Sequence, residues 1–177
     1  WFRGSGMRTS ESHRVVFRGT PVLAVLGGPG EIGREPWFSR DAMRTAAGWA
    51  GIADRAADAA LAVMRARDAA DEHAAAAAGR ILVARATIDR WLEGAAREAD
   101  DPDRDMRAAC VALRAAVADA CRVILDEGAR AAGSRALATG DAGLDRCRRD
   151  LGLMLLQHRL EPMVARLGRA ALEGGGR

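Results

Sequence analysis

Lysine and tyrosine are absent from this chain of 177 residues, and aromatic side chains make up only 4% of it. Alanine supplies much of the apolar fraction instead, which favours close-packed helices over a β-sandwich built on β-branched and aromatic residues. Without lysine, arginine carries all 27 positive charges against 24 acidic residues, a formal net charge of +3. The arginines are interspersed with Asp and Glu and form no basic run, so no nucleic-acid partner is expected. The three cysteines, Cys110, Cys121 and Cys147, form neither a CxxC pair nor a zinc spacing, and no metal is expected. On one helix Cys110 and Cys121 stand roughly 16 Å apart, too far for a disulfide, so a reducing cytoplasm is the expected compartment. No apolar run approaches the ~18 residues of a membrane span, and no leader pattern opens the chain, so neither membrane insertion nor secretion is expected. Trp1 stands where an initiator methionine would, giving the expectation of a piece whose upstream partner lies elsewhere.

What is present divides into two regions. Residues 1–38 hold two short β-type runs, Val15, Val16 and Phe17, then Val22 to Leu26 after Pro21. Gly19-Thr20 separates them and Gly27-Gly28-Pro29-Gly30 closes the second. Two strands do not make a stable sheet alone, so this region reads as a short β-arm that packs poorly. The glycine cluster lacks the Lys-Ser/Thr of a phosphate loop and the dinucleotide spacing, and reads as a linker.

From residue 39 to 177 the period becomes helical. Ser39 reads as an N-cap, and Met43, Ala46, Ala50, Ala53, Ala57, Ala60 and Met64 recur at three and four. Ile81, Ala84, Ile88, Trp91 and Ala95 repeat the pattern after a polar break at 67–72. Asp100-Asp101-Pro102-Asp103 ends that helix and caps a third with its seam at Met106, Cys110, Leu113, Val117, Ala120 and Ile124. Glycines at 128, 133, 140 and 143 loosen the chain before an apolar stretch at 151–156. Pro162 fits the first turn of a last helix bearing Met163, Val164, Leu167 and Leu172, with Glu161 as its expected cap. The expectation is a mainly α fold, a four-helix antiparallel bundle preceded by the β-arm. Trp49 and Trp91, near the apolar stripes, are the expected subunit contacts.

Three segments resemble the acyl-CoA dehydrogenase family. Gly6-Met7-Arg8, the run from Val15 to Val22, and Leu26-Gly27-Gly28-Pro29-Gly30-Glu31 are similar to the close of that family's β-domain and its linker into a C-terminal helical domain. Leu144-Asp145-Arg146-Cys147-Arg148-Arg149-Asp150 resembles the family's V-E-R-x-x-R-D segment. The resemblance implies a bundle of the acyl-CoA dehydrogenase C-terminal type, an FAD cofactor, an acyl-CoA or similar small substrate, and a homodimer or homotetramer. It also implies that this piece alone is inactive.

The departures bear on chemistry. The R-x-x-F-G segment that meets a neighbouring subunit's FAD is not present; Arg65, Arg67 and His73 occupy its place. The family's H-G-G-x-G-type turn is missing too, with Gly133-Ser134-Arg135 a weak substitute. Eight residues after the R-D aspartate, where straight-chain members carry a glutamate base, stands His158. That histidine is more similar to a divergent branch with flavin-dependent monooxygenases, the alternative reading. A third reading is a non-catalytic helical assembly module.

Four residues are therefore the candidates. His158 is the expected catalytic base, a neutral imidazole able to take an α-proton; its other reading is a polar residue at a helix end. Arg65, Arg67 and Arg149 are the expected cofactor contacts, guanidiniums able to grip a diphosphate in bidentate fashion. Arg149 and Asp150 are also expected to pair and pin the last helices. His13 and His73 read as surface residues.

Overall fold

The computed structural model describes residues 2–66, 71–139, 143–157 and 159–174. Arg67 and His158 lie outside the described residues. The chain is mainly helical, in elements α1 (Trp37–Arg65), α2 (Glu72–Ala99), α3 (Arg107–Thr139), α4 (Leu144–Gln157) and α5 (Glu161–Leu172). Among the described residues no helix is long and apolar enough to cross a membrane.

The alanine seam forms as its spacing predicts. Ala46, Ala53, Ala57 and Ala60 of α1 are fully buried, together with Trp49. They meet Ile81 and Ile88 of α2 and Leu113, Val117 and Ile124 of α3 in one core. Residues without bulk let axes approach closely, and the buried ring of Trp49 fills the space that alanines leave. Trp49 is thus a core residue and not a subunit contact. Trp91 lies at the edge of its stripe, 39% exposed.

Polar contacts give the helix directions. Arg85 of α2 bridges Asp54 and Asp58 of α1, at 3.1 and 2.8 Å, while Arg40 near the start of α1 donates to the carbonyl of Asp101 beyond the end of α2. Neighbours with a nearly constant index sum run antiparallel. Arg80 of α2 pairs with Glu127 of α3 at 2.8 Å. α3 packs along both α1 and α2, α4 covers α1 and α3, and among the described residues α5 touches α3 alone.

The caps differ from expectation by a few residues. Ser39 lies inside α1; its amide and hydroxyl both donate to the Glu35 carboxylate, so an acid upstream does the capping. Asp71 caps α2 by accepting from the amides of His73 and Ala74. α3 begins after Asp105, which accepts from the Arg107 amide, and not at the 100–103 cluster. The helical course of α3 is interrupted at Gly133, whose φ of 73° only glycine adopts freely, so the glycine expected to loosen the chain bends it there. Pro162 sits in the first turn of α5 as expected, but Glu161 makes no side-chain cap bond. None of the α5 residues is buried; Val164 is 44% and Leu172 90% exposed.

Residues 11–30 form no strand among the described residues. The expected β-arm is an extended, solvent-exposed segment, because neither run finds a ladder partner.

One carboxylate sits inside the helical interface. Glu127 has a side chain only 10% exposed, held by Arg80 at 2.8 Å and Arg130 at 3.2 Å. The Arg80 hydrogen bond holds its carboxyl below the usual carboxylate range. A depressed folded pKa means the stabilisation is complete above the unfolded value and is lost as pH falls through the folded one. Glu127→Gln therefore lowers the thermal midpoint at neutral pH by roughly 2–6 °C. In differential scanning calorimetry the gap to wild type closes in acid; a gap that persists there contradicts the assignment.

Candidate functional site: a clasp between the N-terminal turn and α4

Two segments about 140 residues apart in sequence meet on the face of α4. Residues 5–8 turn sharply, with Met7 in the left-handed region at φ 53°. The turn is held there by three polar contacts. The Met7 amide donates to Asp150 Oδ1. Arg149 Nη1 donates to the Ser5 carbonyl at 2.6 Å, and Arg146 Nη2 reaches Thr9 Oγ1 at 3.5 Å. An anionic acceptor under a backbone N–H and a cationic donor on a carbonyl are the stronger, charge-assisted kind of hydrogen bond.

Gly6 makes the approach possible. It is buried against the α4 backbone, where any Cβ would overlap the Arg149 carbonyl oxygen and stand 3.1 Å from the Asp150 amide nitrogen. Backbone lies against backbone, so no side chain can yield.

The arginine and aspartate of the R-D pair do not bond to each other. Arg149 Nε donates to Asp145 at 2.9 Å and Arg146 pairs with Asp150 at 3.3 Å. Both pairs are spaced by four, which places the partners one turn apart on one face, whereas residues 149 and 150 diverge by about 100° around the axis. The expected Arg149–Asp150 pair thus gives way to two crossed pairs within α4, and it is the hydrogen bonds of Arg146, Arg149 and Asp150 that hold residues 5–9.

Beside the clasp an open groove of about 400 Å³ runs between α3 and α4. Leu125 and Leu155 line it with Arg122, Arg148 and Arg149. Arg122 is already paired with Asp119 at 2.6 Å. Arg65 is not among the residues lining this groove; it is exposed in the last turn of α1, where its charge complements the helix dipole. The fold thus does not bring Arg65 and Arg149 into one groove, and Arg67 and His158 lie outside the described residues.

The thiols offer no nucleophile. Cys110, Cys121 and Cys147 are free and buried. Burial pushes all three upward, Cys121 to about 12, which keeps them protonated at neutral pH. Ser5, Asp145 and Arg146 join the clasp without standing out as site residues in the sequence; i,i+4 spacing to Arg149 and Asp150 points to Asp145 and Arg146, and nothing local points to Ser5. No family model, curated protein or solved structure matches the chain.

Proposed function

We propose that this chain is the helical part of an FAD-dependent oxidoreductase of acyl-CoA dehydrogenase type, a cytoplasmic homodimer or homotetramer that α,β-dehydrogenates an acyl thioester. The observation that carries the reading is the clasp. Gly6-Met7-Arg8 and Arg149-Asp150, two of the segments on which the family resemblance rests, pack against each other, and each supplies what the other needs: a missing Cβ, an acceptor, a donor. Two unrelated chance matches have no reason to touch. In this reading the bundle is of the family's C-terminal type, and residues 15–26 are the close of its β-domain.

The fit to FAD is partial. Arg65 is an exposed guanidinium at a helix end and suits a diphosphate. Arg149 has Nε and Nη1 engaged by Asp145 and Ser5, so only its remaining edge is left for a phosphate oxygen. The grooves among the described residues are open and enclose no flavin ring. FAD, when bound, supplies the acceptor for the β-hydride. Arg65 and Arg67 would hold its phosphates across a dimer interface, Arg149 would offer a separate contact through its remaining edge, and His158 would take the α-proton. The monooxygenase reading is favoured by one feature, a histidine where the dehydrogenases carry a carboxylate.

The test uses the gene product as the cell makes it. It purifies yellow, and an acyl-CoA bleaches the flavin anaerobically. The 177 residues alone take up FAD weakly or not at all. A colourless gene product that also refuses added FAD overturns both flavin readings and leaves the assembly module.

A further inference from the structure

The groove between α3 and α4 is walled by charges of both signs, and most of them are already satisfied. Arg122 pairs with Asp119 at 2.6 Å, and Arg149 pairs with Asp145 at 2.9 Å. Two charged side chains of the lining are left over, Asp126 on the α3 wall and Arg148 on the α4 wall. Among the described residues neither makes an ion pair or a side-chain hydrogen bond, with the other or with any neighbour. One free anion and one free cation therefore face the same space from opposite sides.

The surface between them is apolar. Leu125 and Leu155 are buried beneath the groove. Residues 145, 148, 149, 152 and 155 recur at three and four, so one stripe of α4 faces the opening. Gly152 stands in the middle of that stripe, where a Cβ would meet no atom within 4 Å. Glycine weakens a helix interior relative to alanine, and here no close approach of backbone requires it. Its missing side chain is room in the groove. At about 400 Å³ the space falls within the ~300–1,000 Å³ of small-molecule sites.

We propose that this groove binds a free α-amino acid with an apolar side chain, its carboxylate on Arg148, its ammonium on Asp126 and its side chain over Leu125, Gly152 and Leu155. The guanidinium fork matches a carboxylate, and an ammonium supplies donors that a carboxylate can accept. Charge balance selects this class. A phosphate or an acidic peptide meets Asp126 as a like charge, and a simple amine meets Arg148 as one. A ligand carrying both charges bridges two groups that stand too far apart to bridge themselves. The inference rests on the unpaired Arg148 and Asp126 and not on the flavoprotein reading, and its test reads no flavin.

Norleucine is titrated calorimetrically into the gene product, with hexanoate and pentylamine as analogues that each keep the tail and one charge. Norleucine binds with a dissociation constant on the order of 0.1–1 mM, and each analogue binds at least about tenfold more weakly. In Asp126→Asn norleucine falls to the level of hexanoate, and in Arg148→Gln to that of pentylamine. Neither variant loses a protein partner, so both keep the wild-type thermal midpoint. Gly152→Leu fills the groove, abolishes binding and does not lower the midpoint, since leucine is the better helix former. Val83→Arg, in the separate shallow groove between α2 and α3, leaves binding intact. Three results overturn the proposal: no norleucine binding, an analogue that binds as tightly as norleucine, or binding that survives Gly152→Leu.

Discussion

Gly6→Val detaches the N-terminal turn from α4. A Cβ at this position overlaps the Arg149 carbonyl oxygen, with the Asp150 amide nitrogen 3.1 Å away, and both belong to helix backbone that does not shift locally. Rotamer choice cannot relieve a clash made by the first side-chain atom, so even Gly6→Ala acts in the same direction. With the turn displaced, the Met7 amide leaves Asp150 and Arg149 leaves the Ser5 carbonyl. At about 1.5–3 kcal/mol net for a hydrogen bond to a charged group, and with partial replacement by water, the expected loss is about 2–4 kcal/mol. It has a ceiling. Once residues 2–10 have come away, nothing further is lost, because the core of α1, α2 and α3 contains none of them. Helical circular dichroism therefore stays near wild type while hydrogen exchange at Met7 becomes fast and proteolysis within residues 2–10 accelerates. Asp150→Ala produces a weaker form of the same change. Protection of the Met7 amide that survives in Gly6→Val removes the clasp as a structural unit.

The helical seams were legible in the sequence because burial obeys a period that backbone geometry imposes. Ala46, Ala53, Ala57 and Ala60 had to share a face whatever covered them, and so did Cys110, Leu113 and Val117. What covers a face is not local information. The pattern put Trp49 on an apolar stripe, yet a stripe reads the same whether a helix of the same chain or a second subunit meets it. The stripe of α5 shows the opposite error: Val164 and Leu172 have the spacing of core residues and stay exposed because, among the described residues, only α3 comes near. Caps shifted for a related reason. Ser39 has the chemistry of an N-cap, but Glu35 upstream offers two oxygens to the same donors. The clasp was legible only in halves. Gly6 and Asp150 each stood out, and the crossed pairs Asp145–Arg149 and Arg146–Asp150 follow from spacing alone, but no linear signal says that the two halves meet.

His158→Ala in the flavin-loaded gene product slows bleaching by acyl-CoA by about 10²–10⁴-fold, the usual worth of a positioned general base. The expectation follows from register. Asp150 is held by the Met7 amide and by Arg146, which anchors α4, and residue 158 follows directly after Gln157, the last residue of that helix. In the family resemblance the position eight residues beyond the R-D aspartate carries the base. An imidazole serves there in its neutral form, the one that accepts a proton. Glu161 is the other acid within reach in sequence; it opens α5 and is exposed, so Glu161→Gln serves as the control that leaves the rate within about tenfold. FAD content and thermal midpoint are unchanged in both variants, which separates loss of a base from loss of the site. An alanine variant reduced at the wild-type rate makes His158 a polar helix-end residue and moves the base elsewhere. A wild-type protein that no acyl-CoA bleaches, but that consumes oxygen with reduced flavin and substrate, puts the same imidazole in a monooxygenase, where its task is to deprotonate the substrate to be oxygenated.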